Sequence, residues 1–164
     1  MIEQAFLDYS AEQLLHCAGR IEDCLGRLSA EQIWMRSSDN HNAVGNIVLH
    51  LCGNVRQWIL GGVGGQPDVR DRDSEFAARG GVRPSELAAK LKTTVAEAAE
   101  VIRTFPVGRL MEDKTIQKVY ETTLMKAIYH VVEHFGEHTG QIVFATKLLT
   151  GEDLGYYKHL TQKA

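Results

Sequence analysis

The stretch Tyr129-His130-Val131-Val132-Glu133-His134-Phe135-Gly136-Glu137-His138-Thr139-Gly140-Gln141-Ile142 spaces three histidines by four residues on an otherwise apolar helical pattern. A helix turns about 100° and rises about 1.5 Å per residue, so a step of four moves only ~40° around the axis and ~6 Å along it. His134 and His138 can therefore direct their rings at one metal ion. His130 and His138 lie roughly 12 Å apart along the axis, too far to share easily an ion that sits about 2.0–2.1 Å from each nitrogen. The fold question becomes which segment brings a third ligand to this helix.

Around that stretch, apolar residues at Leu124, Ile128, Val131, Phe135, His138, Ile142, Ala145 and Leu149 alternate steps of four and three, which predicts a long helix with His138 in a core slot. Thr122 or Thr123 caps its start and Gly151 ends it. Glu152-Asp153-Leu154-Gly155-Tyr156-Tyr157 forms a tail able to fold back as a partial lid. Three more helices follow from the same periodicity. The first runs from Phe6 to Leu28 on Leu7, Leu14, Leu15, Ala18, Ile21, Leu25 and Leu28, with His16 off the stripe. The second runs from about Ala43 to Leu60 on Val44, Val48, Leu51, Val55 and Trp58, flanked by Ile47, His50 and Asn54. Pro84-Ser85-Glu86 opens the third, whose stripe is Leu87, Leu91, Val95, Ala98 and Ile102 and which ends near Phe105-Pro106.

His50 sits among Val48, Leu49, Leu51 and Cys52, where an unpaired imidazole would cost on the order of 1–3 kcal/mol, so a bonding partner is expected. Cys52 lies about 200° around the helix from His50 and should not join the same site. Residues 62–83 read as a polar, glycine-interrupted loop with at most one helical turn, without a phosphate-binding motif, and long enough to cover a pocket mouth. Residues 107–121 alternate weakly on Met111, Ile116, Val119 and Tyr120, and the pattern leaves strand and extended loop both open.

The bulk numbers narrow the function classes. At 164 residues the chain fits one domain, 1–164, with core enough to fold without disulfides. Its 18 basic and 21 acidic residues are evenly mixed at a net charge of −3, which gives no electrostatic reason to expect nucleic acid. Three cysteines without a C-x-x-C motif suit reduced thiols, and no apolar run approaches the roughly 18 residues of a membrane span, so the expectation is a cytoplasmic protein.

Four amphipathic helices joined by one short and two long connections predict an all-α four-helix bundle, an architecture that builds metal sites from inward side chains on facing helices. In such a bundle His50 would join His134 and His138 as a third nitrogen ligand. The chain resembles the DinB-like superfamily of metal-binding four-helix bundles, which includes bacillithiol- and mycothiol-dependent transferases and metal-dependent hydrolases. The resemblance rests on Gly45-Asn46-Ile47-Val48-Leu49-His50-Leu51 and on Glu133 to Ile142, and it covers essentially the whole chain.

That resemblance implies His50, His134 and His138 as ligands of a divalent metal, zinc or nickel. His130, Glu133 and Gln141 are candidates for supporting a ligand or facing substrate. The transferase version takes a low-molecular-weight thiol and an electrophilic small molecule. The hydrolase version needs a carboxylate base that no H-E-x-x-H arrangement supplies, which favours thiol chemistry. A third reading is a non-catalytic, metal-bearing homodimer.

Overall fold

A computed structural model describes residues 2–161. The described residues are mostly helical, with six helices and one small two-stranded sheet. Helices α1 (Ile2–Arg27), α2 (Val44–Val55, continued by a π-helical stretch Arg56–Val63), α4 (Pro84–Arg103) and α5 (Leu124–Thr150) are the long ones. Between them lie α3 (Arg72–Ala77), a hairpin of β1 (Asp113–Ile116) and β2 (Tyr120–Thr123), and a terminal turn, α6 (Lys158–Thr161).

The long helices form because each carries one apolar face that only another helix can cover. Helices α1 and α2 each pack against α4 and α5, so one continuous core runs between all four. It is closed by side chains such as Leu14, Ile21, Leu51, Leu91, Ile102, Ile128 and Phe135, all essentially inaccessible. Thr123 accepts the amide of Lys126 at 3.3 Å and starts α5, and Gly151 ends it at φ 70°, in the left-handed region where glycine is unstrained.

Several expectations need correction. His138 does not fill a core slot on α5: the buried positions are Leu124, Ala127, Ile128, Val131, Phe135, Thr139, Ile142 and Thr146, while His138, Ala145 and Leu149 are half-buried. On α1 the inward position is Ala11, and Leu15 stays 38% exposed. The 107–121 region is a hairpin in which only Ile116 of the four anticipated anchors is buried, the turn being made by Gln117 and Lys118 at positive φ. The tail does fold back, onto α1, where Asp153 to Lys158 border a cavity with Cys17, Arg20, Gly136 and Thr139. Tyr156 donates its hydroxyl to Asp23 Oδ2 at 3.0 Å and lies under the Arg20 guanidinium, which fastens the tail to α1.

The loop expected over 62–83 has a specific job. Asp71 accepts the Ser74 amide at 3.2 Å and starts α3, and the buried Asn46 on α2 holds α3 from below. Its Nδ2 donates to the carbonyls of Glu75 and Ala78, both at 2.9 Å. Its Oδ1 accepts from Arg36 at 2.6 Å. Those bonds fix the backbone at Glu75 one helical turn from His50.

Candidate metal centre

Helix α2 presents His50 across the core boundary to α5, where His134 and His138 stand one turn apart. Their ligand-competent atoms all lie within 4.8 Å of one another, and the His50 and His134 Nε2 atoms are 2.9 Å apart. The rings meet edge to face, with centroids 4.4–5.2 Å apart. Nitrogens bonded to one ion at about 2.0–2.1 Å in tetrahedral or octahedral arrangement sit roughly 3 Å from each other, so small rotations of these side chains suffice to hold one. The three histidines together can hold a metal ion.

Which nitrogen would face an ion depends on what holds the other. The Nδ1 of His50 lies 3.2 Å from Glu75 Oε2. Arg70 grips the same carboxylate in a fork, Nε to Oε1 and Nη2 to Oε2, each at 2.8 Å. Burial alone would raise the Glu75 carboxyl; the hydrogen bonds from Arg70 and His50 outweigh it and hold it below the ordinary glutamate range. Glu75 accepts from Nδ1–H in the tautomer that leaves the His50 Nε2 lone pair free for an ion. Arg70 Nη2 also lies 3.0 Å from that Nδ1 and, as an obligate donor, competes with Glu75 for it. On His138, Nδ1 donates to Gln141 Oε1 at 2.8 Å, which likewise frees Nε2. A carboxylate or carbonyl oxygen behind a ligating imidazole fixes its tautomer and raises its basicity.

Burial first, and then the neighbouring histidines and Arg70, pull the His134 pKa down to about 4. His138 is lowered too, again chiefly by burial. Both rings are therefore neutral near pH 7, the form that ligates.

Of the other anticipated residues, His130 is half-buried, its ring stacked 5.7 Å from that of His134 and tilted at 45° against that of Trp58, 4.4 Å away. Gln141 is exposed and acts through His138. Glu133 is exposed on the outer face of α5. Cys52 is buried away from the cluster, its thiol pushed up to about 11 by burial. The sequence reasoning missed Arg70 and Glu75 altogether. One signal for them was Gly53, three residues after His50: a Cβ there would come within 1.8 Å of Glu75 Oε1, so the glycine makes the room the carboxylate occupies.

The family model described as "Protein of unknown function (DUF1572)" matches residues 1–161. The chain belongs to this family. A crystal structure described as that of the conserved protein of a locus from Enterococcus faecalis shares the fold, with a TM-score of 0.71 at 17% identity, covering 88% of this chain and 96% of that one. No curated protein matches the DUF1572 chain. Among its described residues no helix is long and apolar enough to cross a membrane.

Proposed function

We propose that this DUF1572 protein is a four-helix bundle of the DinB-like type that holds a divalent metal, zinc or nickel, on His50, His134 and His138. On this reading it transfers a low-molecular-weight thiol to an electrophilic small molecule. The observation that carries the metal reading is the ligand set itself: three imidazoles converge, and the Nδ1 atoms of two lie within hydrogen-bond distance of an oxygen acceptor. Support for the bundle comes from the way α1 and α2 each lean on α4 and α5.

A divalent ion on three neutral ligands keeps its full charge and acidifies a thiol or water beside it. The residues of the chain do the rest. Glu75 and Arg70 hold the His50 ring in place, Gln141 does so for His138, and the His130 ring stacks on that of His134 and lies against Trp58. In the proposed transfer the thiol sulfur forms a bond to the electrophilic carbon, the leaving group departs with its electron pair, and the thiol proton goes to solvent.

The choice of thiol over water rests on the carboxylates. Among the described residues, the one hydrogen-bonded to the histidine cluster is Glu75, with both oxygens engaged by Arg70 and one also by His50. A carboxylate so engaged and acidified is a poor general base for hydrolysis.

The test has two stages. Metal content is measured for the purified protein and for His50→Ala and His138→Ala; equal metal in all three refutes the site. The loaded protein is then given an activated aryl halide with a panel of small thiols. Metal-dependent consumption of thiol with halide release is the expected result. Ester or amide turnover without thiol would move the assignment to a hydrolase.

A further inference from the structure

Helix α5 turns His134 and His138 toward His50 of α2, and with another face it borders a cavity. Gly136, Thr139, Gly140 and Val143 line that cavity, which measures about 650 Å³ and lies between α5, α1 and the returning tail. Ligand pockets commonly measure about 300–1,000 Å³. Gly136 and Gly140 stand one turn apart inside the helix, where glycine is disfavoured relative to alanine, and a Cβ at either would meet no neighbouring atom within 4 Å. No close approach among the described residues requires glycine there, and what the missing side chains leave open is the cavity.

The lining is cationic in a chain whose net charge is −3. Arg20, Lys147 and Lys158 line the cavity against one acid, Asp153, which already binds the Gly155 amide at 3.0 Å and lies 3.8 Å from Lys158. Arg20 is half-buried, its guanidinium laid on two rings, 4.8 Å from the Tyr156 centroid and 5.6 Å from that of Tyr157. The rings hold the guanidinium and leave its N–H donors for other acceptors. The nearest acid along α1, Asp23, is engaged elsewhere, accepting from Arg27 at 3.1 Å and from the Tyr156 hydroxyl at 3.0 Å. A planar fork on an aromatic support, with Cys17, Val143 and Leu154 as apolar wall, suits an oxyanion carried on an apolar body.

We infer that this cavity is a second small-molecule site, which takes an organic anion, a carboxylate or a phosphate monoester with an apolar body, on the Arg20 guanidinium and the Lys147 ammonium. None of its lining residues belongs to the histidine cluster, so the site stands independently of the metal reading. Tyr156 is a positioning residue here: its ring supports Arg20, and its hydroxyl bond to Asp23 keeps the tail against α1.

Ligand-observed NMR on the purified full chain compares phenyl phosphate and benzoate with the neutral benzyl alcohol, the two anions distinguishing a phosphate from a carboxylate site. Binding of at least one anion, about ten-fold or more tighter than the alcohol, is the expected result. That affinity should fall about ten-fold in Arg20→Gln, the loss of one charge-assisted hydrogen bond. Gly140→Leu fills the cavity from a position whose new Cβ has no neighbour within 4 Å. It should abolish binding while the melting temperature is unchanged or raised, and it decides the matter should Arg20→Gln loosen the tail. Occupancy should also slow alkylation of Cys17 by iodoacetamide, which distinguishes this cavity from an ion on the histidines. No binding of either anion at millimolar concentration, equal binding of the alcohol, affinity unchanged in Gly140→Leu, or Cys17 alkylation that neither anion slows would each overturn the inference.

Discussion

Gly53→Ala tests the support behind His50 without touching a ligand. The added Cβ would lie 1.8 Å from Glu75 Oε1, 2.7 Å from its Cδ and 2.9 Å from Arg70 Nε. Cβ atoms essentially never come nearer than 3.0 Å to such a neighbour, so the carboxylate must retreat by 3.0 − 1.8 = 1.2 Å or more. The Glu75 contact to His50 Nδ1 is already 3.2 Å, and a retreat of that size carries it beyond hydrogen-bond range. Nothing then fixes the tautomer of His50, and losing such a partner typically weakens metal binding 10–100-fold, about 1.4–2.8 kcal/mol. The helix itself should gain, because alanine in place of a helical glycine is worth up to ~1 kcal/mol. Opposite signs are thus expected: unchanged or stronger helical signal by circular dichroism, and weaker zinc by competition against a chromophoric chelator. Zinc affinity within two-fold of wild type would refute the coupling of Glu75 to the site.

Further outcomes follow from the same geometry. His134 has a folded pKa near 4 against about 6.5 unfolded, so below pH 6.5 the unfolded chain binds the extra proton; the metal-free protein should lose stability as pH falls from about 6.5 towards 4, and thermal melts should show a shallower slope in His134→Leu. Phe135 is fully buried on α5, in the turn between His134 and His138, and Phe135→Ala should cost ~3–5 kcal/mol in urea unfolding. Lys118→Gly, at φ 63°, removes left-handed strain and should stabilise the hairpin turn by up to ~1 kcal/mol, read as a raised melting temperature. Cys24 and Cys52 are buried, and burial raises the thiol of half-buried Cys17, so mass spectrometry after iodoacetamide should show slow labelling of Cys17 alone in the native protein and of all three cysteines in urea.

What the sequence disclosed divides along the range of the interactions. The four long helices were legible because each buries a face whose period is local. The pairing of His134 with His138 was legible because a step of four is fixed by helix geometry. Arg70 and Glu75 were not, because they reach His50 from a segment with no period of its own, held down by hydrogen bonds from Asn46 and admitted by Gly53. Both clues stood on α2 but pointed at something no sequence neighbour reveals. The misplacement of His138 has a different cause. Alternating steps of four and three average 3.5 residues per turn, whereas the buried series Ile128, Val131, Phe135, Thr139, Ile142, Thr146 spans 18 residues in five steps, the 3.6 of an unsupercoiled helix. The two periods drift apart by about 20° per heptad, enough over a helix of this length to turn Thr139 inward and His138 to the flank. That rotation matters for chemistry: a histidine in the core slot would have its ring packed among leucines, whereas on the flank it keeps one nitrogen for Gln141 and the other for the space it shares with His50 and His134.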